Sequence, residues 1–226
     1  MLVGCSAAPK GRVLGGKASP AAATSLPGPV EMPRVAVAAE PEDVLSEAAP
    51  MTPVDPSLLH SCESRREIVI FKAERRLELH CGDAVAGRYA VSLGFSPEAH
   101  KEREGDGRTP EGEYFIVHKF VSQYHRSLQL AYPNVRDAAW GLERGIISRR
   151  EHDAIVRAVR SCRQPPQSTM LGSHIQIHGA GGGEWAGDWT LGCVALDDDP
   201  IEAVYAFHEP GCDAEGRPRT VVRILP

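Results

Sequence analysis

Residues 173–196 read SHIQIHGAGGGEWAGDWTLGCVAL, and the architecture of the domain turns on how this stretch folds. From Ser173 to His178 apolar and polar side chains alternate. That predicts a strand with Ile175 and Ile177 on one face and His174, Gln176 and His178 on the other. Cys193-Val194-Ala195-Leu196 predicts a second short strand. The connection between them lacks the Lys-Ser/Thr of a phosphate-binding loop, so Gly181, Gly182 and Gly183 read as a mobile loop. Cys193 directly follows Gly192 at a turn into a strand, where the amides of Leu191, Gly192 and Cys193 can converge. Convergent amides stabilise an oxyanion without carrying net charge. Cysteine attacks as the thiolate, and a free thiol with a pKa of about 8.5 needs a base or a lowered pKa. His178 ends one strand as Cys193 begins the other, so between neighbouring strands the imidazole can reach the sulfur. An arbitrary Cys/His pair is more often a buried thiol and a satisfied core histidine, and the pair alone leaves both readings open.

Further strands are predicted at Ile68-Val69-Ile70-Phe71, Leu77-Glu78-Leu79-His80-Cys81, 89–93, 114–117 and 128–130, with a last one at 220–225. Residues 136–164 interrupt them. Ser148 and Glu151 form a capping box, Ile155, Ala158 and Val159 recur at helical spacing, and Pro165-Pro166 stops the run, so a helix is predicted over about 149–162. Asp198-Asp199-Pro200 predicts a helix start that runs to about Phe207. The fold class is mainly β with a helical insertion, over residues 63–226.

Residues 1–62 differ in kind. Between residue 6 and about residue 60 stand 9 of the 18 prolines and 11 alanines, and no aromatic precedes Phe71. Such a segment cannot bury enough surface to offset its ordering entropy, which predicts a disordered N-terminal linker. As a flexible coil it would reach roughly 40 Å, either as a tether or as an extension without a role. Leu2-Val3-Gly4-Cys5 has the form of a bacterial lipobox, without the charged and apolar parts of a signal peptide before it. Either the natural start lies upstream and a lipidated Cys5 tethers the chain to a membrane, or four residues match by chance.

The net charge of −5, with no concentrated basic run, argues against nucleic acid as a partner. No stretch approaches the roughly 18 apolar residues of a membrane-spanning helix. The six cysteines contain no CxxC pair, which argues against structural zinc. With Cys193 and Cys5 set aside, Cys62, Cys81, Cys162 and Cys212 form either two disulfides, in a pairing spacing does not reveal, or buried thiols.

The run HGAGGGEWAGDWTLGCVAL resembles the signature of the L,D-transpeptidase (YkuD) catalytic domain, a His-Gly, a variable loop and then Ser/Thr-x-Gly-Cys-hydrophobic. Gly107-Arg108-Thr109-Pro110-Glu111-Gly112-Glu113-Tyr114 resembles that family's Thr-Pro-x-Gly block. Asp188-Trp189-Thr190, Gln123 to Leu128 and Tyr132-Pro133-Asn134 are similar to a murein L,D-transpeptidase-like subgroup, which includes an enzyme that detaches a lipoprotein from the wall. The resemblance spans about residues 66–226. It implies a YkuD-type β-sandwich or barrel-like domain in which Cys193 is the acylated nucleophile and His178 its base. It further implies that the Gly179 carbonyl orients the imidazole, that Thr190 shapes the turn at Gly192, and that amides of Leu191 to Cys193 hold the oxyanion. Many members carry a second histidine where Leu191 stands, and an Arg or Asn after the cysteine where this chain has Asp197. Those departures bear on substrate and acceptor.

The implied function is acyl transfer on peptidoglycan stem peptides through a thioester, in the bacterial envelope outside the cytoplasmic membrane, with a wall-attached lipoprotein as a further partner. Two alternatives stand beside it: a hydrolase that only trims stem peptides or detaches wall-linked protein, and a tethered wall-binding module without activity. Arg126 offers a bidentate contact to a substrate carboxylate, with Tyr124 beside it and Arg108 as a second cation. His174 either lines the cleft or is an exposed strand histidine. Trp185 and Trp189 either wall the cleft or pack in the core. His174, His178 and Cys193 lack an evident fourth ligand, and the Gly-Cys turn suits a nucleophile better, so neither metal nor organic cofactor is expected.

Overall fold

A computed structural model describes residues 56–226 except Pro210. The lipobox-like residues and nearly all of the expected linker lie outside the described residues. The described chain opens with a short helix, α1 (Pro56–Ser61), inside the stretch read as linker. Leu58 packs on the main core, and Cys62 is disulfide-bonded to Cys81, so the domain begins a turn earlier than the composition implied.

The strands are β1 (Arg66–Phe71), β2 (Arg76–Cys81), β3 (Ala84–Ala90), β4 (Gly112–Ser122), β5 (His125–Leu130), β6 (Gln176–His178), β7 (Val194–Ala195) and β8 (Thr220–Leu225). They form one 8-stranded sheet in the order β3-β2-β1-β8-β4-β5-β6-β7. Pairs β1–β8 and β6–β7 are parallel and the rest antiparallel. The first residues of β4 pair with β8 and its later residues with β5, with a register shift between Ile116 and His118. A bulge of this kind bends a strand, so β4 serves both halves of the sheet. Alternating apolar residues, among them Ile68, Ile70, Leu77, Leu79, Leu128 and Ile177, meet Ile201, Val204 and Phe207 of α4 (Asp198–Phe207) in one buried cluster.

Two expected strands are shorter than or displaced from their apolar pattern. The run 89–93 does not form one strand: β3 ends at Ala90, and Ser92 instead exchanges two backbone hydrogen bonds with Ala195, each 2.8 Å. Its apolar residues thus serve two sheet neighbours. The run 173–178 is reduced to β6, because His174 has a left-handed backbone (φ 52°) that interrupts the extended chain. His174 is therefore off the strand that was expected to carry it.

The insertion holds two helices. α2 (Val135–Glu143) is capped reciprocally by Asn134 and Asp137, and α3 (Arg149–Arg160) by Ser148 and Glu151. Each box satisfies otherwise orphaned amide donors at a helix start. Ala138, Ile147, Ile155 and Leu171 form a second, smaller core between them and the body. A disulfide joins Cys162, just past α3, to Cys212. The four cysteines are thus paired as two disulfides, 62–81 and 162–212. Among the described residues no helix is long and apolar enough to cross a membrane, and no three side chains are grouped to hold a metal.

Candidate active site

The turn before Cys193 is built from side-chain chemistry two residues away. Thr190 is fully buried; its Oγ1 donates to the Cys193 carbonyl (2.7 Å) and accepts from the Gly192 amide (3.1 Å). Gly192 sits at φ 133°, and a Cβ there would lie 2.6 Å from the Arg108 carbonyl oxygen. Only glycine satisfies both limits. Thr190 in turn exchanges backbone bonds with Leu93 and Phe95, and Thr109 Oγ1 accepts from the Gly94 amide at 2.9 Å. The Gly107-Arg108-Thr109 block therefore forms the backing of the Gly192-Cys193 turn. The Gly192 amide is thus committed to Thr190.

Strand register places the two reactive side chains. β6 and β7 run parallel with Ile177 beside Val194 and His178 beside Ala195, which sets Cys193 level with Gln176. Side chains two apart on a strand share a face, so Cys193 and His178 are diagonal neighbours on one face of the sheet. The sulfur lies 3.3 Å from the Gln176 amide, which donates to it, and 3.5 Å from the His174 carbonyl oxygen. In this structure Cys193 Sγ is oxidised in a disulfide, so nucleophilic chemistry belongs to the reduced thiol.

His178 is fully buried, with Nδ1 2.7 Å from the Gly179 carbonyl and Nε2 without a hydrogen-bond partner among the described residues. A carbonyl only accepts, so Nδ1 carries the proton and Nε2 presents its lone pair. Burial, opposed by the Gly179 bond, pushes the imidazole pKa down to about 4. Tyr124 lies against the ring, tilted by 31° at 4.6 Å between centroids, and Trp189 meets it edge-on at 5.7 Å with Trp185 stacked on Trp189 at 4.3 Å. Two carboxylates pin the loop that follows. Asp198 accepts the amides of Ala180, Gly181 and Gly182, all at 2.8 Å, and Asp188 accepts the Leu93 amide and pairs with Arg75.

A cavity of about 990 Å³ adjoins the sulfur's backbone contacts. Tyr124, His174 and Gln176 line it on the sheet side, and Ala154 and Ala158 of α3 with Gln164 to Gln167 line it on the insertion side. Neither of the two arginines expected at the substrate lines this cavity. Arg126 pairs with Glu202 (2.9 Å) over the Tyr205 ring, and Arg108 contacts Glu102 and the His100 carbonyl, each at 3.3 Å. Trp189 and Trp185 line a second, smaller pocket of about 200 Å³. Leu191 is partly exposed beside the turn.

Gln167 has a place at the site that its sequence position does not announce. Its Oε1 accepts from the His174 amide (2.7 Å) and from Gln129 (3.3 Å), while its Nε2 donates to the Tyr132 and Pro165 carbonyls. It thereby holds the left-handed His174 whose carbonyl faces the sulfur.

Comparison with known proteins agrees with this arrangement at the level of family. The model of the L,D-transpeptidase catalytic domain (YkuD) matches residues 65–224. YafK of Escherichia coli, provisionally named an L,D-transpeptidase, is 26% identical over 169 residues, covering 70% of this chain and 53% of YafK. The chain thus spans about half the length of the curated relatives it matches. Among solved structures, the helical cell shape determining protein Pgp2 of Campylobacter jejuni is similar at 19% identity and TM-score 0.47, over 71% of this chain and 47% of Pgp2. The L,D-transpeptidase of Xylanimonas cellulosilytica is similar at 14% identity and TM-score 0.39, over 77% of this chain and 64% of the other.

Proposed function

The chain belongs to the L,D-transpeptidase catalytic domain (YkuD) family, and on that premise we propose that reduced Cys193 carries acyl transfer on peptidoglycan stem peptides. The observation that carries the proposal is the state of His178: Nδ1 held by the Gly179 carbonyl, Nε2 open, on the strand beside the cysteine. Nε2 takes the thiol proton, and Sγ adds to the amide carbonyl at the L-centre of a diaminopimelate-type residue. The oxyanion rests on the amides of Leu191 and Cys193. Collapse breaks the C–N bond, His178 returns the proton to the leaving amine, and a thioester remains. An amine acceptor then displaces sulfur to give a crosslink or an attached protein, with His178 taking the amine's proton. If water takes that place, the product is a trimmed peptide.

Burial sets the energetic problem of the first step. An imidazole with a pKa of about 4 is a weak base for a thiol of about 8.5, so the neutral pair dominates until the ions form together. The thiolate and the imidazolium then stabilise each other at close range, and the Gln176 amide adds a hydrogen bond to the sulfur. The two disulfides favour an oxidising compartment, which the cell envelope supplies.

The test is intact-mass analysis of the reduced chain after incubation with defined muropeptides, with and without an amine acceptor. The expected result is an acyl adduct on Cys193 that is lost in Cys193→Ala and slowed at least a hundredfold in His178→Ala. Product masses separate transfer to an amine from hydrolysis. Undiminished turnover in Cys193→Ala would overturn the mechanism.

A further inference from the structure

The helical insertion carries a charge asymmetry that the thioester chemistry does not use. Residues 135–163 contain seven arginines and four acidic residues, in a chain whose net charge is −5. Two of those acids serve the fold: Asp137 is buried on Tyr114 and Asn134, and Glu151 caps α3 through Ser148. Arg149, Arg150, Arg157 and Arg160 of α3 are exposed, and among the described residues no ion pair within 4.0 Å engages them. Asp153, the one carboxylate near Arg149 and Arg157, is itself bonded to His152.

Helix geometry puts these cations beside the cavity. At about 100° per residue, Arg149, Arg160, Arg157 and Arg150 share an arc of about 100°. Ala154 and Ala158 follow on the cylinder and line the cavity, while Ile155 turns inward to the small core. Arg150 and Arg157 therefore stand along the rim next to Ala154 and Ala158. The lining within contains no Lys, Arg, Asp or Glu. The cavity thus has no Lys, Arg, Asp or Glu inside and is flanked by arginines along one edge.

We infer that the arginine face of α3 is a docking rail for a polycarboxylate, the wall polymer whose stem peptides bear carboxylates at regular intervals. This rests on the reading of Cys193 as acting on stem peptides, and it assigns the insertion a role in engaging the polymer around the reacting peptide. A single exposed ion pair contributes little. Several guanidiniums on one face, meeting a repeating anion, act together and steer the encounter. The rail and the cavity share α3, so docking on one brings a stem to the other.

Binding of the full chain to purified peptidoglycan by cosedimentation tests this, with Cys193→Ala in every protein so that no chemistry intervenes. The triple variant Arg150→Gln/Arg157→Gln/Arg160→Gln should bind about tenfold more weakly and lose most of the salt dependence. Lysines at the same three positions should restore most of the binding, which separates charge from folding. Arg65→Gln, near the start of β1, should leave binding unchanged. Peptidoglycan with its carboxylates converted to amides should bind the parent as weakly as native polymer binds the triple variant. The inference is overturned if the triple variant binds like its parent, or if amidation leaves binding intact. It is equally overturned if vesicles of anionic phospholipid bind as tightly as the polymer, since a lipid surface would then be the ligand. Thioester formation is read separately by mass in the chain that keeps Cys193, so the docking result and the chemistry can fail independently.

Discussion

Thr190→Val is the sharpest perturbation of the Gly192-Cys193 turn. Valine keeps the shape of threonine and removes the single oxygen that joins the Gly192 amide to the Cys193 carbonyl. Thr190 is 0% exposed, so water cannot take over either bond. Each buried backbone group left without a partner costs about 1–3 kcal/mol, so the expected loss for two is about 2–6 kcal/mol. Thr190→Ser keeps the oxygen and loses one methyl group, which costs about 1 kcal/mol. Urea denaturation at constant m, with disulfides intact, measures both variants. Alkylation of the reduced protein by iodoacetamide reports whether the thiol has moved. The valine variant should lose stability and also slow acylation by muropeptide, because the amides of Leu191 and Cys193 lose their fixed direction. A valine variant within about 0.5 kcal/mol of the parent, a difference typical of neutral surface substitutions, would refute the reasoning. A serine variant as damaged as the valine one would also refute it.

Asp198→Ala removes three amide contacts at the loop after His178; with the site partly open to water, the expected loss is about 2 kcal/mol. Burial raises the Asp198 carboxyl, but the three amides together outweigh it and its pKa is lowered. A depressed carboxylate contributes stability above its unfolded pKa, and that stability is lost as pH falls through the folded value. The gap between parent and Asp198→Ala should therefore shrink below about pH 4 in acid titrations, and a constant gap would contradict the linkage. Gln167→Leu should release the left-handed His174 and alter the pH profile of Cys193 alkylation, beyond any loss of stability by denaturation. An unchanged profile would limit Gln167 to packing.

Much of the architecture is legible in local patterns. Short apolar runs or alternation mark β1, β2, β4, β5 and β8, and the Ser148/Glu151 box marks α3 to within two residues of its end. The Asn134/Asp137 box that starts α2 has the same local signature in the sequence. Other features have no local signature. Val91 and Leu93 read as the continuation of a strand, yet the backbone at Ser92 pairs with Ala195, more than a hundred positions away. Arg126 carried the chemistry of a carboxylate clamp, but Glu202 of α4 occupies it. Gln167 acts through four partners scattered from Gln129 to His174.

The residue types in 173–196 were enough to name a thiol, a base and a turn, because thiol and imidazole each carry their chemistry in one side chain and glycine acts through the lack of one. The same stretch could not say that Thr190 would consume the Gly192 amide, or that His174 would leave the strand. Nor could it place Ala154 and Ala158 opposite Gln176, or close His178 beneath Tyr124 and Trp189. Those outcomes depend on which distant segments compete for each backbone donor and each buried surface. A hydrogen bond or a stacked ring is settled only when both partners have a place in space.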